Sequence, residues 1–279
     1  MSLAEFVEAL APKVYSGPIR RAGKWLGIDG FLRELYSRLQ SYTTPDRVSV
    51  SVGDVETTFN TSTESEYRRV TSHIETQVLA DFLEELQADD VVWDVGANTG
   101  LYTCLAAETV NQGTVVAFEP HPGNVDSLYS NIEINGLTNI ETEKIALSDE
   151  SGAATLSITS EKAGLGLHSL SKGANGDSIE IQVERGDDLI SAGYQIPSVV
   201  KIDVEGSEGQ VIEGMKSTLT DSRCRAIYCE VHASESLPNS VQDYGYTPED
   251  VERAFETAGF DLDRIDDGDT YFLKGTKKQ

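Results

Sequence analysis

The chain has 279 residues, with 47 acidic against 22 basic side chains and a formal net charge of −25. That balance strongly opposes nucleic-acid recognition by phosphate neutralisation, and it predicts a fold that repels itself at low salt and is relieved by molar salt. No stretch approaches the roughly 18 apolar residues of a spanning helix, and Met1 to Leu10 is acidic rather than signal-like, so a cytoplasmic protein is expected. Its three cysteines, Cys104, Cys224 and Cys229, lack metal-ligand spacing and read as reduced core residues.

Within this acidic chain, residues 13–38 carry six basic side chains (Lys13, Arg20, Arg21, Lys24, Arg33, Arg38) against Asp29 and Glu34. Apolar Phe31, Leu32, Leu35 and Leu39 give the segment an amphipathic helical spacing. It reads as a helical cap on the catalytic domain or as a peripheral contact with an anionic membrane or a lipid-linked substrate. Alternation in Val48, Val50, Val52 and again in Val55, Thr57, Phe59, with Gly53-Asp54 between, predicts a β-hairpin. These features make residues 1–74 an N-terminal extension to a domain spanning 75–279. That domain opens with a helix over Thr76 to Leu86, apolar at Val78, Leu79, Phe82, Leu83 and Leu86.

Val91 to Val95 is an apolar run suited to a strand buried on both faces, and it breaks at Gly96-Ala97-Asn98-Thr99-Gly100 before helical spacing resumes at Leu101. The two glycines remove side chains where a ligand presses on backbone. Glu119 ends the next strand, where a carboxylate can accept the hydroxyls of an adenosine ribose, with Pro120 beside it. The spacing is not the G-x-G-x-x-G that seats a pyrophosphate, and Asp94 at the strand tip repels phosphate but suits an α-ammonium. A cationic sulfonium cofactor, S-adenosylmethionine (SAM), therefore fits better than NAD. Ala146, Leu147 and Ser148, at the tip of a third strand, are expected against adenine.

Further strands are expected near 140–146, 198–204 and 225–231, alternating with helices, then a helix start at Thr247-Pro248 and a closing hairpin from Phe260 to Lys274. This alternation predicts an α/β fold, a Rossmann-like doubly wound and mostly parallel sheet with a C-terminal antiparallel hairpin, and ligand sites at the carboxyl ends of its strands.

Three segments then occur in order: Val91-Val92-Trp93-Asp94-Val95-Gly96-Ala97-Asn98-Thr99-Gly100, Phe118-Glu119-Pro120-His121-Pro122, and Val199-Val200-Lys201-Ile202-Asp203-Val204-Glu205-Gly206-Ser207-Glu208. Together they resemble the FkbM family of SAM-dependent methyltransferases over about residues 75–274, and the acid-rich composition suits a member from a halophilic archaeon. The resemblance implies methyl transfer to an oxygen of a sugar, polyketide or other small molecule, with acceptor choice in loops such as 160–180. It also implies Asp94, Gly96, Ala97, Asn98 and Gly100 around the methionine moiety.

Lys201, Asp203 and Glu205 fall two apart, which places them on one face of the fourth strand as it leaves the sheet. Asp203 is the leading candidate for base or acceptor anchor, with Glu205, Lys201 and His232 as the other catalytic candidates. Asp203 with Glu205 can also hold a divalent ion, but no third ligand stands at convincing spacing and no metal is predicted. Two other readings stay open: a SAM-binding scaffold or regulator without turnover, and an NAD-dependent oxidoreductase.

Overall fold

The computed structural model describes residues 45–61, 63–71, 76–158, 168–170, 178–237, 239–265 and 268–278, so the basic segment 13–38 lies outside the described residues. The chain enters through an antiparallel hairpin, β1 (Arg47–Val52) and β2 (Val55–Asn60), with Val52 paired to Val55 across Gly53, whose φ of 58° suits the turn. Its apolar face, Phe59 with Val48 and Val50, joins the same core as the helices that follow. Helices α1 (Glu64–Thr71) and α2 (Thr76–Glu85) lead into the central sheet. The apolar spacing read from Val78 to Leu86 is the buried face of α2.

The core alternates strands and helices: β3 (Val91–Val95), α3 (Leu101–Thr109), β4 (Thr114–Phe118), α4 (Pro122–Asn135) and β5 (Ile140–Glu143). After an excursion through β6 (Ile145–Leu147), β7 (Gly152–Ile158), β8 (His168–Leu170), β9 (Ser178–Glu184) and α5 (Gly186–Ser191) come β10 (Val199–Ile202), α6 (Glu208–Gly214), α7 (Lys216–Thr220) and β11 (Ala226–His232). Helix α8 (Pro248–Thr257) and the hairpin of β12 (Asp261–Arg264) and β13 (Thr270–Thr276) close the chain. Helix α8 starts where Thr247-Pro248 predicts, under a capping box in which Thr247 and Asp250 satisfy each other's backbone N–H groups.

Seven strands form the main sheet in the order β12-β13-β11-β10-β3-β4-β5; β3, β4, β5, β10 and β11 run parallel, and β12 and β13 form the antiparallel hairpin at the edge. From β3 the chain moves outward to β4 and β5, then returns to β10 on the other side of β3. The switch point therefore lies between β3 and β10, where the open ends of the strands leave a crevice. Both faces are covered: Val92, Val115 and Val199 pack with α2 and α3, while Trp93, Val95, Phe118, Val200 and Ile202 pack with α6, α7 and α8. Each fully buried large side chain contributes about 1.5–3 kcal/mol.

One expected strand divides. The run from Ile140 to Ala146 breaks at Lys144, after Glu143 O accepts the last ladder bond from Glu119 N at 3.0 Å. Strand β6 then belongs to a second, four-stranded sheet of order β6-β9-β7-β8. So Ala146, Leu147 and Ser148 sit at the tip of this second sheet rather than of the central one.

Candidate active site at the strand tips

Because β10 and β3 pair in parallel with Lys201 opposite Asp94, the two charges meet across adjacent strands on the side of α3. Lys201 Nζ stands 3.4 Å from Asp94 Oδ1 and 3.5 Å from Asp203 Oδ2, and both Lys201 and Asp94 are buried. Nζ also donates to Gly96 O at 3.3 Å and lies 5.0 Å from the centre of the Tyr102 ring. The other oxygen of Asp94 accepts from Thr103 Oγ1. The structure thus gives Asp94 partners inside the protein, where the sequence assigned it the ammonium of a cofactor.

The turn from β3 into α3 is a tight construction. Gly96 has φ 82°, and a Cβ there would stand 1.8 Å from the carbonyl oxygen of Asp203. Gly100 has φ 91°, and its Cβ would meet Leu128 at 2.4 Å. Both glycines are explained by the packing of protein on protein, a different reason from the ligand approach inferred from the sequence. Between them, Asn98 takes a left-handed φ of 52°, its N–H donates to Glu119 Oε2 at 2.8 Å, and its side-chain oxygen accepts from Thr99 N. Glu119 Oε1 accepts from His121 N at 2.8 Å and Asn124 Nδ2 at 3.3 Å. Three donors hold the buried carboxylate, and acceptor capacity is left chiefly on Oε2. Burial pushes its pKa upward, against the pull of these N–H donors.

Glu119 stands in a solvent-open cleft between the tips of β3, β4 and β10 and the second sheet. Of the residues singled out in the sequence, Gly96, Asn98, Glu119, Pro120, Ala146, Leu147, Asp203 and Glu205 line it. Ala97 and Lys201 line a small adjoining pocket with Asp203 and Arg69, whereas Asp94, Gly100, Ser148 and His232 line neither. One end is apolar, formed by Phe118, Leu147 and Leu156; the other is charged. Two features suit SAM: a fixed carboxylate for the ribose and an apolar slot for the base.

The charged end gathers around a strained turn. Strand β10 ends at Ile202, so the row of Lys201, Asp203 and Glu205 leaves the sheet before Glu205, which adopts φ 51°. A glutamate at positive φ is uncommon, and such strain, of order 1–3 kcal/mol, gathers at functional sites. Glu205 Oε2 lies 3.3 Å from His232 Nε2, and the other ring nitrogen, Nδ1, lies 2.7 Å from Glu208 Oε1. Glu208, in the first turn of α6, is fully buried and its Oε1 also accepts from Gly206 N at 3.0 Å. Burial alone would lower the His232 pKa, but bonds to Glu205 and Glu208 outweigh it and raise the pKa to about 11. For Asp203, burial raises the pKa, and the charges of Lys201, Arg69 and His232 together pull it below the usual value. Burial raises that of Glu205 despite its bond from His232.

Sequence reasoning missed Arg69, Leu156 and Glu208. Arg69 comes from α1, with NH1 3.9 Å from Asp203 Oδ2, and nothing in its own neighbourhood marks it. Leu156 belongs to the second sheet, and the one local signal that could have pointed to that sheet is the alternation of Ile179, Ile181 and Val183 in β9. Glu208 reads in sequence as an ordinary first-turn acid.

Residues 94–262 match the methyltransferase FkbM domain. The hexuronic acid methyltransferase AglP of Haloferax volcanii is 33% identical over 185 residues, covering 66% of this chain and 69% of that protein. The 31-O-demethyl-FK506 methyltransferase FkbM of Streptomyces tacrolimicus is 29% identical over 198 residues, covering 58% and 75% respectively. Among solved structures, the methyltransferase FkbM from Methylobacillus flagellatus KT superposes with a TM-score of 0.52 at 14% identity, over 88% of this chain. The chain spans about half the length of that structure, 54% of it, and the likeness shows the shared fold. With the domain match covering more than half of its residues, the chain belongs to the FkbM family of SAM-dependent methyltransferases.

Proposed function

We propose that this chain transfers the methyl group of SAM to an oxygen of an acidic sugar, with the cofactor in the cleft beside Glu119 and the acceptor at the Asp203–Glu205 end. The observation that carries this reading is the polarity of the cleft: a fixed carboxylate and an apolar slot at one end, and a cluster of ionisable side chains at the other. Glu119 takes the ribose, Gly96 and Asn98 border the methionine portion, and Ala146 and Leu147 cover adenine. SAM supplies an electrophilic methyl carbon on a sulfonium, so the protein has chiefly to align an acceptor oxygen with it.

Asp203 and Glu205 receive the acceptor. Asp203 is already paired with Lys201 and Arg69, which suits it to anchor a hydroxyl; Glu205, held by His232, takes the proton. As the O–CH3 bond forms, the S–CH3 bond breaks and the acceptor proton passes to the Glu205 carboxylate. Arg69 adds a guanidinium at this end, a partner for the carboxylate of a uronic sugar. A lipid-linked acceptor is the finer form of this reading, supported by the basic run at 13–38.

Two measurements test it. Calorimetric titration in molar KCl is expected to show SAM and S-adenosylhomocysteine binding, weakened roughly 10–100-fold by Glu119→Gln through loss of a charged hydrogen-bond acceptor. NAD binding in place of SAM would end the methyltransferase reading. With saccharides as acceptors, Arg69→Gln is expected to raise KM for hexuronic acids by roughly 10-fold or more while leaving KM for neutral sugars unchanged. Equal effects on both would remove the acidic-sugar assignment. Flotation with anionic vesicles at working salt tests the lipid-linked form, which absence of association would remove.

A further inference from the structure

We propose that Asp203, Glu205 and His232 bind one divalent cation of the Mn2+ type, which accepts mixed oxygen and nitrogen donors, at the acceptor end of the cleft. What the ion does rests on the methyltransferase reading; where it binds does not. Each of the three side chains offers one ligand atom, and these atoms all lie within 4.8 Å of one another. Among them, His232 Nε2 and Glu205 Oε2 stand 3.3 Å apart. Two donors that share an ion at about 2.1–2.2 Å, roughly at right angles or a little wider, are held ~3.0–3.4 Å apart.

A second observation, independent of that spacing, comes from behind the imidazole. His232 Nδ1 lies 2.7 Å from Oε1 of Glu208, a carboxylate that is itself fully buried. Nδ1–H donates to Glu208, and when the ion displaces the proton that Nε2 otherwise shares with Glu205, the lone pair of Nε2 faces Asp203 and Glu205. Carboxylate, imidazole and metal in series is the arrangement by which proteins orient a histidine ligand. Lys201 and Arg69 both approach Oδ2 of Asp203, which leaves Oδ1 to the ion.

Charge points the same way. The ion-paired cluster holds the carboxylates of Asp94, Asp203, Glu205 and Glu208 against the fixed cations Lys201 and Arg69. Its carboxylates outnumber its cations, an excess of negative charge that a divalent ion offsets. The spacing of Asp203 and Glu205 offered only two ligands in sequence; the third is supplied by the neighbouring strand β11, through parallel pairing with β10. Three protein ligands leave coordination positions open toward the cleft. A hydroxyl bound there becomes more acidic, its proton passing to the second oxygen of Glu205 as the O–CH3 bond forms and the S–CH3 bond breaks.

The test is pulsed electron paramagnetic resonance on the full chain with SAM bound, in molar KCl to suppress loose binding by surface acids, titrated with Mn2+ alone. The expected result is one tightly held ion per chain with nitrogen modulation from a coordinated imidazole. That modulation disappears in His232→Gln, and Glu208→Gln weakens binding roughly 10–100-fold, as loss of an orienting partner does. Mn2+ bound without nitrogen coupling in the unsubstituted chain overturns the proposal, and so does no tight binding by protein that binds SAM in calorimetry. Nitrogen-coupled Mn2+ in protein that fails to bind SAM would support the ion site and overturn the methyltransferase reading instead.

Discussion

Lys201 is the residue on which the polar interior turns. It is nearly enclosed, and it faces Asp94, Asp203 and the carbonyl of Gly96 at once. Removing it leaves Asp94 charged and 1% exposed with Thr103 as its remaining hydrogen-bonding partner. Lys201→Met is therefore expected to lower stability by about 3–5 kcal/mol, the cost of an uncompensated buried charge. Adding Asp94→Asn is expected to restore much of it. Denaturant midpoints of the two variants in molar KCl measure this, and a loss under about 1 kcal/mol in the single variant would show that the pair is not buried as described. At this scale the sequence showed which residues carry charge at the strand tips, because alternation along a strand assigns faces. It did not show their partners. Whether Asp94 meets a ligand or Lys201 depends on the register of β3 against β10, more than 100 residues apart, and no local pattern encodes that.

Among the elements, the N-terminal hairpin is tied to the catalytic sheet by two asparagines of α4. Asn135 Oδ1 accepts from Thr58 N at 2.8 Å, and its Nδ2 donates to Thr58 O at 2.7 Å; Asn131 Oδ1 accepts from Asn60 N at 2.9 Å. Side-chain amides thus take the place of a third strand along the free edge of β2. Asn135→Ala removes two of these bonds, an expected loss of about 1–3 kcal/mol at 0.5–1.5 kcal/mol each. Hydrogen exchange is the appropriate probe: the Thr58 amide is expected to exchange faster while the amides of β3 keep their protection. Uniform acceleration through both would mean that the hairpin and the sheet open as one unit. The central strands, α2, α8 and both hairpins were legible because each carries a strong period or a capping signal. The second sheet was not. Strand β7 reads Gly-Ala-Ala-Thr-Leu-Ser-Ile, where small and hydroxylated residues blunt the alternation, and among the described side chains Leu156 and Ala154 reach the local core.

For the molecule as a whole, the charge of −25 is the dominant long-range term. Raising KCl from 0.1 to 1 M shortens the screening length from about 10 Å to about 3 Å, which removes repulsion between surface acids but leaves the buried Lys201 cluster little changed. The melting temperature is expected to rise on the order of 10 °C over that range, equivalent to roughly 6 kcal/mol for a chain of this size. Differential scanning calorimetry in KCl, with sucrose as a non-ionic control, checks this; an unchanged midpoint would remove the self-repulsion argument.

The contact of Gly96 with the carbonyl of Asp203 couples two places that an evolving enzyme would otherwise adjust separately. One turn borders the proposed donor pocket and the other bears the proposed acceptor groups, and they touch with no room for a methyl group between them. Drift in one is transmitted to the other, so substitutions in 96–98 and in 203–206 are epistatic: a change tolerated in one background becomes harmful in another. New acceptors are then reached most readily by exchanging the surrounding loops while this paired hinge of backbone is inherited intact.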